Sequence, residues 1–386
     1  MDTDEHRLGE GGGATTRFLG RGDLEKLVAE LLGAGTRVVA PVDAGKGETE
    51  YRVVGQFTDA KLGAALPRRS LKEFFLPPTE ELFRWRRDGA GLELQEAPAS
   101  FPATVILGAF PCDAAAVQTL DKVMGWDYRD DPWFGRREAT TIVALACNGQ
   151  DGSCFCTAVG LGPDAARGSD LLLTAVRDGY EVQVLTAKGA ALVGRHAARF
   201  AEACDEDPAR NVRREACTRV SSNLQATPEK IRGWLQANFE HPIWKGIALR
   251  CHGCGACAAV CPTCHCFDIV DEPEGLAEGA RRRNWDTCQT PVFTLHASGH
   301  NPRADQNARI RQRLNHKFRI YQERFGELLC TGCGRCARAC PGGMDLPELL
   351  GALEKLAVSA PVPVPASAPV PAPAGGAFIP PPGGAR

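Results

Sequence analysis

The chain has 386 residues, 24% of them charged, and a net charge of −2. That length holds two or three domains, the mix is that of an ordinary globular protein rather than a disordered or fibrous one, and the small charge excludes a global field of the kind that holds nucleic acid. Seventeen cysteines make a large and odd number, unlike the even pairing of a short secreted disulfide scaffold.

Residues 1–16 are polar and Gly-rich, a flexible N-terminus without the apolar core of a secretory signal. No stretch reaches the roughly 18 to 20 apolar residues of a membrane helix. The expectation is a cytoplasmic protein, not inserted in a membrane, whose thiols stay reduced or bind metal.

Residues 17–223 read as an α/β domain. Asp23 can cap a helix with Leu24, Leu27, Val28, Leu31 and Leu32 on one face, ended by Gly33 and Gly35. Thr36–Val42 and Tyr51–Phe57 read as strands. The apolar runs Ala103–Phe110 and Thr141–Cys147 flank an amphipathic segment from Asp113, which suggests a strand–helix–strand unit. The polar stretch 205–223 marks a boundary.

Residues 224–358 read as an α-helical domain. Thr227 and Pro228 suit a helix start, and Ile231, Trp234, Leu235 and Phe239 form a stripe behind them. A longer helix spans 303–325. Its apolar face carries Ile310, Leu314, Phe318, Tyr321 and Phe325, and its other faces carry Arg303, Arg309, Arg311, Arg313, Lys317, Arg319 and Arg324. This basic surface suits a partner protein better than a nucleic acid. A short helix with Leu346, Leu349, Leu350, Leu353 and Leu356 follows. Residues 359–386, rich in Pro, Ala and Gly, read as a disordered tail.

Two runs in the second domain share the spacing C-x2-C-x2-C-x3-C-P. They are Cys251, Cys254, Cys257, Cys261 and Cys330, Cys333, Cys336, Cys340. Three thiolates on one tight loop suit three irons of one cubane, and in two-cluster ferredoxins the fourth cysteine reaches the other cluster. The spacing therefore assigns one [4Fe–4S] cluster to Cys251, Cys254, Cys257 and Cys340. It assigns a second to Cys330, Cys333, Cys336 and Cys261. The long span between the runs excludes a bare hairpin-like ferredoxin. Paired zinc sites are the rival reading, although zinc favours two separated C-x-x-C knuckles. Cys261-Pro-Thr-Cys264-His265 also matches a c-type haem attachment pattern, but that use would cost the cluster its fourth ligand.

Cys112 and Cys147 close the two apolar runs, at the carboxyl edge if those strands are parallel. Cys154 and Cys156 share one short loop. These four thiols suit a third metal centre, with [4Fe–4S] ahead of zinc; the bland alternative is that they pack as small hydrophobes. Cys264, Cys266 and Cys288 read as packing near the first cluster, Cys204 and Cys217 as incidental, and His296, His300 and His316 as structural. No phosphate-binding glycine motif follows a strand, and no nucleophile–base pair stands out.

Several motifs resemble one family. They are Cys251-His-Gly-Cys-Gly-Ala-Cys-Ala-Ala-Val-Cys-Pro-Thr-Cys-His-Cys-Phe-Asp268, Trp285-Asp-Thr-Cys288, His296-Ala-Ser-Gly-His-Asn-Pro-Arg303, His316-Lys-Phe318 and Cys330-Thr-Gly-Cys-Gly-Arg-Cys336, with Pro111-Cys-Asp113 and Cys154-Phe-Cys156 upstream. Together they resemble the iron–sulfur β subunit of cytosolic sulfhydrogenases, which carry a nickel–iron hydrogenase, and are similar to the A subunit of anaerobic sulfite reductase. The resemblance spans roughly residues 100 to 350. It implies an electron relay in a multi-subunit oxidoreductase, between a flavin- and NAD(P)-binding subunit and a catalytic subunit with nickel–iron or sirohaem. Two other readings stay open: an enzyme in its own right with a substrate site at the Cys112/Cys147 edge, and a non-redox interaction module braced by clusters or zinc.

Overall fold

A computed structural model describes residues 15–89, 91–96, 100–149, 152–203, 209–220 and 227–359. The N-terminal residues 1–14, Cys204 and the Pro/Ala-rich tail beyond 359 lie outside the described residues.

In chain order the strands are β1 (Thr15–Gly20), β2 (Arg37–Gly45), β3 (Glu48–Val53), β4 (Thr79–Asp88), β5 (Gly91–Glu96), β6 (Thr104–Ala109), β7 (Thr140–Leu145), β8 (Leu171–Val176), β9 (Gly179–Val184), β10 (Ala201–Glu202), β11 (Phe267–Pro273) and β12 (Glu278–Trp285). Eight of them form one sheet in the order β10-β1-β9-β8-β7-β6-β2-β3. Its centre, β2-β6-β7-β8, is parallel. Every residue of β6 and β7 is buried, because helices cover both faces and leave no position for alternating polar side chains.

One face packs the helix Arg21–Gly33 through Leu24, Leu27, Val28 and Leu31. The other face packs the helix Pro111–Met124, Trp133 and, from far along the chain, Tyr321 and Leu329. A third core gathers Ile231, Trp234, Trp244, Ile310, Leu314, Phe318 and Leu350. Phe155 of the Cys154–Cys156 loop is buried in this third core, so a loop of the first region is anchored inside the second.

The second region opens as expected: Pro228 takes a first-turn position and the Thr227 side chain accepts from Lys230 N at 3.4 Å. The long helix starts later than expected, at Gln306, and runs to Phe325 through a π-turn at His316–Ile320.

An expectation is corrected here. The second region is not wholly helical, because β11 and β12 form a hairpin. That hairpin pairs with the β4–β5 hairpin of the first region in the order β11-β12-β4-β5. The sheet therefore joins chain from both sides of residue 223. Apolar alternation could not reveal it, since β12 reads EGARRRNW. Cross-strand ion pairs hold it instead. Arg282 meets Glu272 at 2.5 Å and Glu81 at 3.2 Å, and buried Arg283 pairs with Glu80 and Asp130. Residues 209–219, within the expected boundary, form a helix. Among the described residues no helix is long and apolar enough to cross a membrane.

Candidate metal centres

Both cysteine runs fold alike. A C-x2-C-x2-C loop must turn its amides inward, and glycine supplies the required backbone. Gly253 and Gly332 adopt φ of +67° and +64°, and Gly255 and Gly334 adopt +74° and +70°. Each loop then enters a one-turn helix, Ala256–Ala259 or Arg335–Arg338.

The fourth cysteine of the first run stands with the second run. Cys261 of the first run lines a cavity with Cys330, Cys333 and Cys336 of the second. In the other direction the chain after Cys340 returns to the first run. Gly342 lies so close to Arg250 that a Cβ there would come within 2.2 Å of the Arg250 carbonyl, and Arg250 donates to Gly343 O. Cys257 lies close enough to Cys336 and Cys261 for each to raise its pKa, behind burial.

Buried cations surround these sulfurs. Lys317 is buried in the π-turn, and its Nζ donates to Cys261 Sγ at 3.3 Å, Thr263 Oγ1 at 3.2 Å and Leu329 O at 3.1 Å. The Cys264 thiol donates to Cys261, and with Lys317 and Thr263 it holds the Cys261 thiol well below its usual range, so this sulfur is ready to act as a thiolate. Arg313, also buried, has Nε and Nη2 without a hydrogen-bond partner. The sulfurs of Cys257, Cys336, Cys264 and Cys261 act on its charge. Orphaned guanidinium donors are costly, and here they lie among the proposed ligands of both clusters, where cluster sulfides would satisfy them. Arg309, Arg313 and Lys317 are all buried and stand four residues apart. The basic helix therefore turns one stripe of cations inward, which corrects the expectation that its charges as a set serve a partner.

The first run is more open. Cys254 is exposed. It borders a cleft with Lys72, Cys264, Trp285 and Thr287. Lys72 donates to Cys264 O at 2.9 Å and lies 3.9 Å from the Trp285 ring centroid. Neutral amides serve Cys251, with Gln306 Nε2 donating to its Sγ at 3.0 Å. Nearby, Cys266 donates to Cys288, whose thiol is pushed down to about 6. The His265 and His316 rings meet edge to face with centroids 5.5 Å apart, and burial pushes them down to about 4 and about 3. The His296 and His300 rings meet edge to face in their loop, centroids 5.4 Å apart.

The second run is fastened to the α/β region. Arg335 forms a buried bidentate pair with Asp113, both contacts at 2.7 Å, and its Nε donates to Pro67 O. Tyr51 donates to the same carboxylate at 2.9 Å. Phe155 N donates to Gly332 O at 2.8 Å. A Cβ on Gly332 would lie 2.5 Å from the Cys156 backbone, and one on Gly334 would lie 2.4 Å from Ser153 O. Neither Lys317, Arg313, Lys72 nor the Asp113–Arg335 pair is singled out as a site residue by sequence reasoning. The four-residue spacing of Arg309, Arg313 and Lys317 was the available signal.

Cys112 follows β6, Cys147 follows β7, and these strands pair in parallel, so both thiols stand at the carboxyl edge of the sheet. They line one pocket with Cys154 and Cys156. Cys217 lies apart, its sulfur 3.7 Å from Asp164 Oδ1.

A family model described as a 4Fe-4S dicluster domain matches residues 250–344. Sulfhydrogenase 2 subunit beta of Pyrococcus furiosus is 32% identical over 281 residues, covering 72% of this chain and 81% of that protein. No solved structure matches.

Proposed function

The chain belongs to the sulfhydrogenase β-subunit family, and from that premise we propose that it relays electrons in a multi-subunit oxidoreductase, between a flavin- and NAD(P)-binding subunit and a catalytic subunit with nickel–iron or sirohaem. A hydrogenase or sulfhydrogenase is the favoured assembly, with anaerobic sulfite reductase next. Bound [4Fe–4S] clusters would supply one-electron redox chemistry. Cys251, Cys254, Cys257 and Cys340 would hold one, and Cys330, Cys333, Cys336 and Cys261 the other.

The observation that carries this reading is the cavity where Cys261 joins the second run with Lys317 on its sulfur. Nε and Nη2 of the neighbouring Arg313 lack a hydrogen-bond partner. Four thiolates around an iron–sulfur core are net negative, and a buried negative centre needs buried cations. Lys317 and Arg313 supply them. Among the described residues no three cysteine, histidine or carboxylate side chains converge tightly enough to hold one ion. The spacing C-x2-C-x2-C-x3-C-P, with three cysteines on one loop, suits a cluster better than zinc, which favours two separated C-x-x-C knuckles.

The exposed Cys254 end is where electrons would pass to or from a partner, and the buried second run is the internal node. Anaerobic isolation of the native complex tests the proposal. The expected result is co-purification with a flavin subunit and a nickel- or sirohaem-bearing subunit, and about eight cluster irons per chain in the two runs. A chain that turns over substrate alone, or holds zinc without sulfide, would overturn it.

A further inference from the structure

We propose that Cys112, Cys147, Cys154 and Cys156 hold a third iron–sulfur cluster, a cubane at the joint between the α/β sheet and the second cysteine run. The inference rests on the electron-transfer reading and extends it into the first region.

The pocket's composition is the first argument. Its wall comprises these four cysteines, Cys333 and otherwise only Leu66, Phe110, Pro111, Gly162, Pro163, Val220 and Gly332. Every heteroatom-bearing side chain that lines it is therefore a thiol. Four sulfurs in an apolar wall are a soft, water-poor donor set of the kind iron–sulfur clusters use. Cysteines packed only as small hydrophobes have no need to gather from three separate loops.

The second argument is how they are gathered. Cys112 stands in the first turn of the helix Pro111–Met124, at the end of the buried strand β6. Cys147 is held at the end of β7 by its N–H to Pro163 O at 2.7 Å. Cys154 and Cys156 flank Phe155, whose ring is buried in the second region's core. The Phe155 N–H to Gly332 O bond and the missing Cβ atoms at Gly332 and Gly334 press this loop against the second run.

Charge and space agree. Arg338 Nη1 stands 3.9 Å from Cys154 Sγ. Arg335 lies where its charge acts on both Cys112 and Cys333. The pocket holds a cavity of about 30 Å³, against about 10 Å³ for the cavity of Cys261, Cys330, Cys333 and Cys336, so it is no smaller than the space beside the second run.

The two sites share a wall. Cys333, a proposed ligand of the second run's cluster, also lines this pocket, and Cys154 Sγ lies 3.9 Å from Cys333 O. A one-electron donor on a partner subunit, a reduced flavin or cluster, would be oxidised as one iron here goes from ferric to ferrous. The same electron would then pass to the cluster that Cys333 would help to hold, with no proton or bond change.

The full-length chain, reconstituted anaerobically with iron and sulfide and counted for both, tests this. We expect about twelve irons and twelve sulfides per chain. The Cys154→Ser/Cys156→Ser variant should hold about eight, with the EPR signals of the two dicluster-domain clusters retained but freed of spin coupling to a third. A wild-type count of about eight with both dicluster signals present would overturn the third centre and leave the two-cluster reading standing. A count below eight would sink the two-cluster reading itself. Zinc without matching sulfide in the pocket would also overturn the third cluster. The wild-type count and spin coupling decide the matter even if the double variant does not fold.

Discussion

The two cysteine runs have the same spacing and the same local backbone, yet they occupy opposite environments. The first keeps Cys254 at the surface and meets Cys251 with the neutral amide of Gln306. The second buries Cys333. It is fastened to the α/β region by Arg335, Gly332 and Gly334, and its cavity carries the Lys317 ammonium on Cys261. A motif thus dictates how a loop holds metal, while its neighbours decide whether that loop serves as a port or as an internal junction.

The sharpest way to break this contrast is to unfasten the second run. Arg335→Met leaves the Asp113 carboxylate buried without its cation, and should cost about 3–5 kcal/mol of stability. Thermal unfolding of the holoprotein checks this. Adding Asp113→Asn should recover part of the loss. If Arg335→Met unfolds at the wild-type temperature, the pair does not fasten the two regions.

Acid should act where the two runs meet. The His265 and His316 imidazoles are pushed down to about 4 and about 3 by burial. The native state therefore stays neutral while the unfolded chain takes up protons below about pH 6.5. Stability is complete above that value and falls as the pH drops toward about 4. The loss between about pH 7.5 and 5.5 should be about 2.7 kcal/mol for the two rings together. Hydrogen exchange near Cys264–Cys266 should report it, and His316→Gln should flatten the dependence.

Lys317→Met removes the cation from Cys261 and should lower the midpoint potential of the second run's cluster alone, by on the order of 100 mV. Redox titration followed by EPR resolves which cluster moved. Equal shifts in both clusters would contradict the assignment of Cys261 to the second run. Gln306→Leu removes a neutral donor from Cys251. It should lower the potential of the first run's cluster by a smaller amount, on the order of 50 mV, because charge-assisted hydrogen bonds are about twice as strong as neutral ones.

Much of this was legible in the residues themselves. The apolar runs at 103–110 and 141–147 became adjacent parallel strands because uninterrupted apolar residues need cover on both faces. Thr227 with Pro228 opened a helix because each meets a first-turn requirement locally. The crossing of Cys261 to the second run follows from the three-residue step before its proline, which carries the fourth sulfur off the loop. The β12 hairpin was not legible, because its stability comes from arginine–carboxylate pairs supplied by β4, β11 and Asp130, and those partners are distant in the chain. The inward face of the basic helix was misjudged for a related reason. A charge stripe reads as solvated until the thiolates that need it are placed beside it.

By itself the sequence determined the two metal-binding loops, their glycine-dependent turns and the α/β character of residues 17–200, since each depends on contacts within a few residues. The tertiary structure alone decided that Phe155 enters the second region's core, that Cys333 borders both the second run's cavity and the Cys112/Cys147 edge, and that Arg335 finds Asp113. Those outcomes depend on packing between segments far apart in the chain, where backbone closeness at Gly332 and the cost of a buried unpaired charge select one arrangement.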